Sequence, residues 1–173
     1  MLQVLILIFL SLSVSLGNAY NLEKPRQYAI SLAADQEVVQ AVKSRNLKLP
    51  EKLLGMTNAK WKTLSVIHPL VLELKTNSAA QALKRVKRSY VSEVFVSAAD
   101  GTKIAFLEKT TSWSHLGKPK HDMPMTGQTW QGPLEMDESS GVHQIQIAVP
   151  IFDHNKPIGS LVIGVSVVRL ERN

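Results

Sequence analysis

Two tryptophans, Trp113 and Trp130, lie in a stretch, residues 109–132, that follows no periodicity. Lys109, Asp122 and Gln131 accompany them, and Asp137 comes just beyond. These residue types suit a binding site better than a reaction centre. Two indoles offer flat apolar walls and one N–H donor each. Lys109 can pair with a carboxylate or phosphate, while Asp122, Gln131 and Asp137 can fix amines or hydroxyls. Plainer uses exist: tryptophan is commonly core, and Asp137 with Ser139 can bond their own backbone ahead of a strand. A loop this long inside a domain is functional or disordered, and two tryptophans argue against disorder.

Residues for catalysis are missing. There is no Gly-x-Ser-x-Gly, no His-Glu-x-x-His and no phosphate loop. Glu135, Asp137 and Glu138 are neighbours, but adjacent acids on an alternating strand point apart, and nothing sets a base opposite them. Among His68, His115, His121, His143 and His154, the nearest approach to a zinc set is His115 with His121 and Asp122. Their spacing in an irregular stretch matches no ligand pattern. His154 sits in a turn, and His68 precedes a proline. No catalytic residue, metal ligand or cofactor is expected. The chain has no cysteine, which excludes disulfides, thiolate metal sites, cysteine nucleophiles and a lipid-modified N-terminal cysteine.

The elements that must position these residues can be read from periodicity. Leu22 to Asn46 is helical, with Tyr28, Leu32, Val38, Val39 and Val42 on its apolar side and Pro25 near its start. A second helical pattern begins near Asn58 with Trp61, Leu64 and Ile67, and Pro69 breaks it. Leu70, Val71 and Leu74 continue to Thr76-Asn77, and Asn77 or Ser78 caps a further helix through Ala79, Ala82, Leu83 and Val86. From Tyr90 the pattern alternates, and Asp100-Gly101 marks a hairpin into Lys103–Leu107. In Val142–Ile151, Ile145, Ile147, Val149 and Ile151 share one face, and Gln144, Gln146 and Ala148 the other. After the polar turn 153–157 the run Ile158–Val168 alternates again, and Gly159 and Gly164 inside it suggest a bulge or close packing against that face. The class is α+β: a long N-terminal helix and further helices packed on one side of a four- to five-stranded antiparallel sheet.

In order and spacing, three segments resemble a known family. Ile30 to Asn46 reads ISLAADQEVVQAVKSRN, Tyr90 to Ala105 reads YVSEVFVSAADGTKIA, and Met136 to Val167 runs from an acidic-serine step through Val-Pro-Ile to a valine-rich closing strand. Together they resemble the extracytoplasmic Cache domain, the PAS-like sensor module of bacterial chemoreceptors and histidine kinases. The resemblance covers most of residues 22–170. It implies a PAS-like sheet and a small-molecule pocket between the sheet and its crossing segment, by analogy of fold. Family members usually continue into a membrane helix, so this chain resembles a free-standing single Cache domain without its own output module. The amino-acid-binding version carries a tyrosine, an arginine followed by aromatics, and a distant aspartate. Trp113 and Trp130 have no arginine beside them, so an amino-acid ligand is not implied.

Met1–Ala19 reads as a cleaved export signal: Leu2–Leu16 is apolar, and Gly17 and Ala19 are small residues before a cut ahead of Tyr20. The run is short and serine-rich for a membrane span, and its leading end has no Lys or Arg, which leaves a retained anchor as the alternative. Residues 20–173 then form one sensor domain, periplasmic or secreted. The net charge of +6 admits acidic partners or anionic surfaces, but export and the lack of an aromatic-interleaved basic stripe argue against nucleic acid. Lys84, Arg85, Lys87 and Arg88 form the densest basic cluster, a solvated helix face or a docking patch. The function expected is an exported small-molecule-binding sensor that passes its ligand state to a membrane-bound receptor kinase, cyclase or chemoreceptor. The alternative is a periplasmic protein-docking domain with no small ligand, using the basic helix or dimerising through the first helix.

Overall fold

The computed structural model describes residues 20–137 and 141–172. The expected export signal, Met1–Ala19, and the Glu138–Ser139 step lie outside the described residues. No described helix is long and apolar enough to cross a membrane.

The N-terminal periodicity resolves into two helices, α1 (Glu23–Ala33) and α2 (Gln36–Leu47). Asp35 causes the break. Its Oδ1 accepts the N–H groups of Glu37 at 2.9 Å and Val38 at 3.4 Å, an N-cap that competes with helix continuation. The apolar side persists across the break, because Ala29, Leu32, Val38 and Val42 are all buried. A 3-10 turn (Glu51–Leu53) leads to α3 (Asn58–Thr63), α4 (Pro69–Thr76) and α5 (Ser78–Arg85). Thr57 caps α3, accepting from the Lys60 N–H at 3.2 Å. Pro69 opens α4, where its missing N–H costs nothing, and Asn77 caps α5 through the Ala80 N–H at 2.9 Å. Since α5 ends at Arg85, Lys87 and Arg88 lie beyond it and the basic cluster is not one helix face.

The strands are β1 (Val91–Ala98), β2 (Lys103–Phe106), β3 (Trp130–Asp137), β4 (Val142–Asp153) and β5 (Lys156–Ser166), in the antiparallel order β2-β1-β5-β4-β3. The helix α6 (Pro119–Met125) interrupts the irregular stretch before β3, and α7 (Val167–Leu170) follows β5. Gly101, at φ 78°, makes the expected turn, and Asp100 Oδ1 accepts the Thr102 N–H at 3.0 Å.

Helices cover both sides of the sheet, not one. On the first face, Val94, Val96, Ile147, Val149, Ile151, Leu161 and Ile163 pack with α1, α2 and α5. On the second, Phe95, Phe106, Ala148 and Val162 pack with Trp61, Leu70, Val71, Leu74 and Trp113. The strand residues explain the two covers. Phe95, Phe106 and Val162 alternate with the first-face set, so the second face also carries apolar surface, worth about 2 kcal/mol per fully buried large side chain.

Candidate functional site

Of the nine buried polar side chains among the described residues, seven gather on the second face of the sheet and its cover: Ser97, Lys103, His115, His121, Gln144, Gln146 and Ser160. Strand alternation supplies Ser97 from β1, Lys103 from β2, Gln144 and Gln146 from β4, and Ser160 from β5. His115 comes from the crossing segment after β2, and His121 from α6.

The backbone fixes His115 firmly. Residues 113–115 run antiparallel beside 101–103: the Lys103 N–H donates to the Trp113 carbonyl and the His115 N–H to the Gly101 carbonyl, each at 3.0 Å. Asn58 holds the same stretch, its Oδ1 accepting the Ser114 N–H at 2.9 Å. A side chain at Gly101 would collide with the backbone of Leu116 and with Ser114, so glycine permits this approach as well as the turn. The result sets His115 Nδ1 2.8 Å from Lys103 Nζ.

Lys103 is fully buried. Its ammonium donates to Ser97 Oγ at 3.1 Å and to His115 Nδ1, and lies 4.6 Å from the centre of the Phe95 ring. No carboxylate of a described residue forms a salt bridge with it. Burial therefore drives its pKa down to about 7, the nearby Lys120 adds to the fall, and Glu93 and Asp100 offset it in part. Burial and then Lys103 lower His115 to about 2, so its imidazole is neutral and accepts at Nδ1. His121 is also lowered by burial. Its Nε2–H donates to the Ala99 carbonyl at 3.3 Å, and Nδ1 accepts the Ser160 hydroxyl at 2.8 Å, a tautomer set by the carbonyl.

A second polar chain adjoins this one. Lys120 Nζ donates to Gln146 Oε1 at 2.7 Å, and the Gln146 amide donates to Glu93 Oε1 at 2.5 Å. The Gln144 amide also donates to Glu93, at 2.9 Å, and Gln144 Oε1 accepts from Ser92 Oγ at 2.5 Å. A bulge between Val91 and Glu93 brings Ser92 and Glu93 together here. Gly164 leaves room beneath: a Cβ there would strike Gln144, Ser92 and Glu93. The arrangement offers cationic donors, hydroxyls and amides around aromatic and apolar walls. Among the described residues no three His, Asp or Glu side chains converge on a metal position.

The six residues expected from sequence are dispersed. Trp113 is 3% exposed and packs against Trp61 with ring centres 5.3 Å apart and planes tilted by 40°. Trp61 in turn donates to the Thr110 carbonyl at 2.7 Å. Lys109 Nζ lies 5.0 Å from the Trp61 ring centre. Trp130 packs against the same core from the head of β3. These three share the polar cluster's side of the sheet. Gln131 pairs with Ile147 on the other face and accepts from Arg26 at 3.2 Å. Asp122 is exposed, binding the Gly117 N–H at 3.0 Å. Asp137 ends β3 opposite Val142. Sequence reasoning passed over Lys103, Ser97, Lys120 and Ser160, and weighed His115 and His121 only as metal ligands. The available signal was a set of polar residues at alternate positions of strands whose second face is also covered.

No protein-family model and no curated protein matches the sequence. Among solved structures the chain is similar to the sensor domain of the V. cholerae histidine kinase DctB, with a TM-score of 0.56 and 16% identity over 87% of this chain and 51% of that one. It also resembles the ligand-binding domain of the Campylobacter jejuni chemoreceptor Tlp3 in complex with 4-methylisoleucine (TM-score 0.47, 16% identity, 86% and 60% of the two chains). The E. coli DcuS sensor domain is a further likeness (0.46, 13%, 85% and 92%). The chain spans about half the length of the DctB domain. The likeness to DctB establishes the fold, which is the Cache-type, PAS-like sensor fold.

Proposed function

We propose that the chain is an exported sensor domain that binds a small anion on the second face of its sheet and passes its ligand state to a membrane-bound receptor. The observation that carries the reading is Lys103, a fully buried ammonium with no carboxylate partner among the described residues. A buried unpaired charge is strongly unfavourable, and an arriving carboxylate or phosphate removes that penalty. Ser97 bonds it, Ser160 pairs with Ser97 across β1 and β5 and is bonded to His121, and Lys120 lies nearby, with Trp113, Trp130 and Lys109 on the same side. The anion would enter beneath the crossing segment, and the two arrangements of that segment would be the states a receptor reads. Such a shift requires that the ligand prefer one of them.

The test is a thermal-shift panel on the full chain with small carboxylates, phosphate, sulfate, amines and neutral sugars. A ligand at a hundred times its dissociation constant adds about 2.7 kcal/mol, a rise of about 5–10 °C for a domain this size. Anions are expected to give the rise, and Lys103→Met to abolish it. A rise with amines or sugars alone would defeat the reading.

A protein-docking role is the second reading. It is favoured by a groove of about 1260 Å³ between the start of α1 and the α5–β1 connection, lined by Tyr20, Tyr28, Tyr90, Lys24, Lys87 and Arg88. Tyrosine and arginine are the anchors enriched at protein interfaces, and partner capture lost in a Lys87→Glu, Arg88→Glu double variant but kept in Lys103→Met would support it.

A further inference from the structure

We propose that the anion site is proton-linked: the anion is taken up together with a proton held by the Lys103–His115 pair. The inference rests on the anion-binding reading above and concerns how that site is regulated.

Geometry makes the pair the place where a proton is gained or lost. Nζ and Nδ1 stand 2.8 Å apart with His115 93% buried and Lys103 fully so. Ser97 Oγ and the Phe95 ring complete the lysine's surroundings. Every other charged or titratable group facing it is engaged elsewhere or lies at the rim. Glu93, from β1, has its Oε1 taken by the Gln144 and Gln146 amides. Asp100, from the turn, accepts from the Thr102 N–H and hydroxyl. From the crossing segment and α6, Lys118 and Asp122 are exposed, Lys120 is bound to Gln146, and His121 to Ser160 and Ala99. No carboxylate of a described residue is therefore bonded to it, and Lys120 nearby opposes it.

An empty site then gives up its proton near neutrality, in agreement with the direction burial imposes on Lys103. An anion beside Nζ favours the charged form and returns its pKa toward the ordinary lysine range. By linkage, any anion that binds the protonated form binds more weakly as pH rises. With an empty-site value of about 7, the protonated share falls about thirty-fold between pH 6.0 and 8.5.

The experiment measures affinity of the full chain for straight-chain monocarboxylates, which stay ionised over this range, by calorimetry at pH 6.0 and 8.5. The expected result is about thirty-fold tighter binding at pH 6.0, with proton uptake seen as a buffer-dependent enthalpy at pH 8.5. Equal affinity at both values leaves the anion site standing and overturns the proton linkage. No binding at either value removes the anion site, and the proposal with it. A ligand-free measurement stands beside these: in the chain carrying ¹³Cε-lysine, one lysine signal is expected to titrate near neutrality and to vanish in Lys103→Arg. If every lysine titrates in the ordinary range, the proposal falls whatever the binding shows.

Discussion

Replacing Lys103 with methionine should stabilise the protein at neutral pH. The two side chains have similar length and volume, so the change removes a charge without opening a cavity. An unfolded lysine keeps the ordinary pKa of 10.5, while the folded one is held at about 7. At pH 7 that difference makes the folded state less stable by about 4 kcal/mol, at 1.36 kcal/mol per unit. Methionine removes this penalty but leaves Ser97 Oγ and His115 Nδ1 without the bonds they make at 3.1 and 2.8 Å. Losing those costs about 1 kcal/mol each. The net gain is about 2 kcal/mol, or roughly 4–8 °C in Tm. The pH dependence is the sharper signature. Between the folded and unfolded pKa values the unfolded chain binds more protons, so wild-type stability rises with pH from about 7 toward 10.5. At pH 9 the penalty has shrunk to about 2 kcal/mol and the variant's advantage is gone. Urea unfolding of both proteins at pH 7 and pH 9, followed by tryptophan fluorescence, reads the crossover. A variant that is less stable than wild type at pH 7 would refute the reasoning, because it would mean that the ammonium is well compensated where it sits.

Three other expectations concern the same architecture. Gly164→Ala should destabilise the fold by about 2 kcal/mol or more, because the new Cβ strikes Gln144, Ser92 and Glu93; a denaturation midpoint equal to wild type would show that those side chains move aside. Stability should fall as pH drops below about 6.5, because burial holds His115 down to about 2 and lowers His121, so the unfolded chain binds more protons throughout that window. Its measure is the acid limb of a pH–stability curve, which should flatten in His115→Gln. Asp35→Ala should cost about 1 kcal/mol through loss of the α2 cap, with the loss of helical signal by circular dichroism small if the break is imposed by the cap alone.

How far the sequence disclosed this molecule depends on the signal each residue sends. β4 and β5 were plain because Ile145–Ile151 and Leu161–Val165 alternate without interruption. The β1–β2 turn was plain because Asp-Gly admits few other readings. The break between α1 and α2 was hidden because Ala33-Ala34-Asp35 contains neither glycine nor proline; only the aspartate cap marks it. β3 was hidden because it is an edge strand with Gly132-Pro133 in its middle and mostly exposed side chains, so it has no apolar alternation to detect. The site was hidden for a related reason. Lys103 directly follows a turn, where a lysine reads as solvated, and only the segment 113–115 laid across it makes it interior. Trp113 and Trp130 lie on the same side of the sheet as the buried polar cluster, while Gln131 and Asp122 turn to Arg26 and Gly117.

The strand order has a consequence for how the chain acquires its shape. β1 is flanked by β5, from the far end of the sequence, and β5 alone joins the β1–β2 hairpin to the β3–β4 pair. Helices α1 to α5 and the first hairpin can form early, yet they find no sheet to rest on until Lys156–Ser166 arrives. Closing that long loop is the slow entropic step. A nascent chain halted before residue 156 would therefore hold two unjoined β-ribbons, each with an open hydrogen-bonding edge, and would be a substrate for chaperones until its last strand came through.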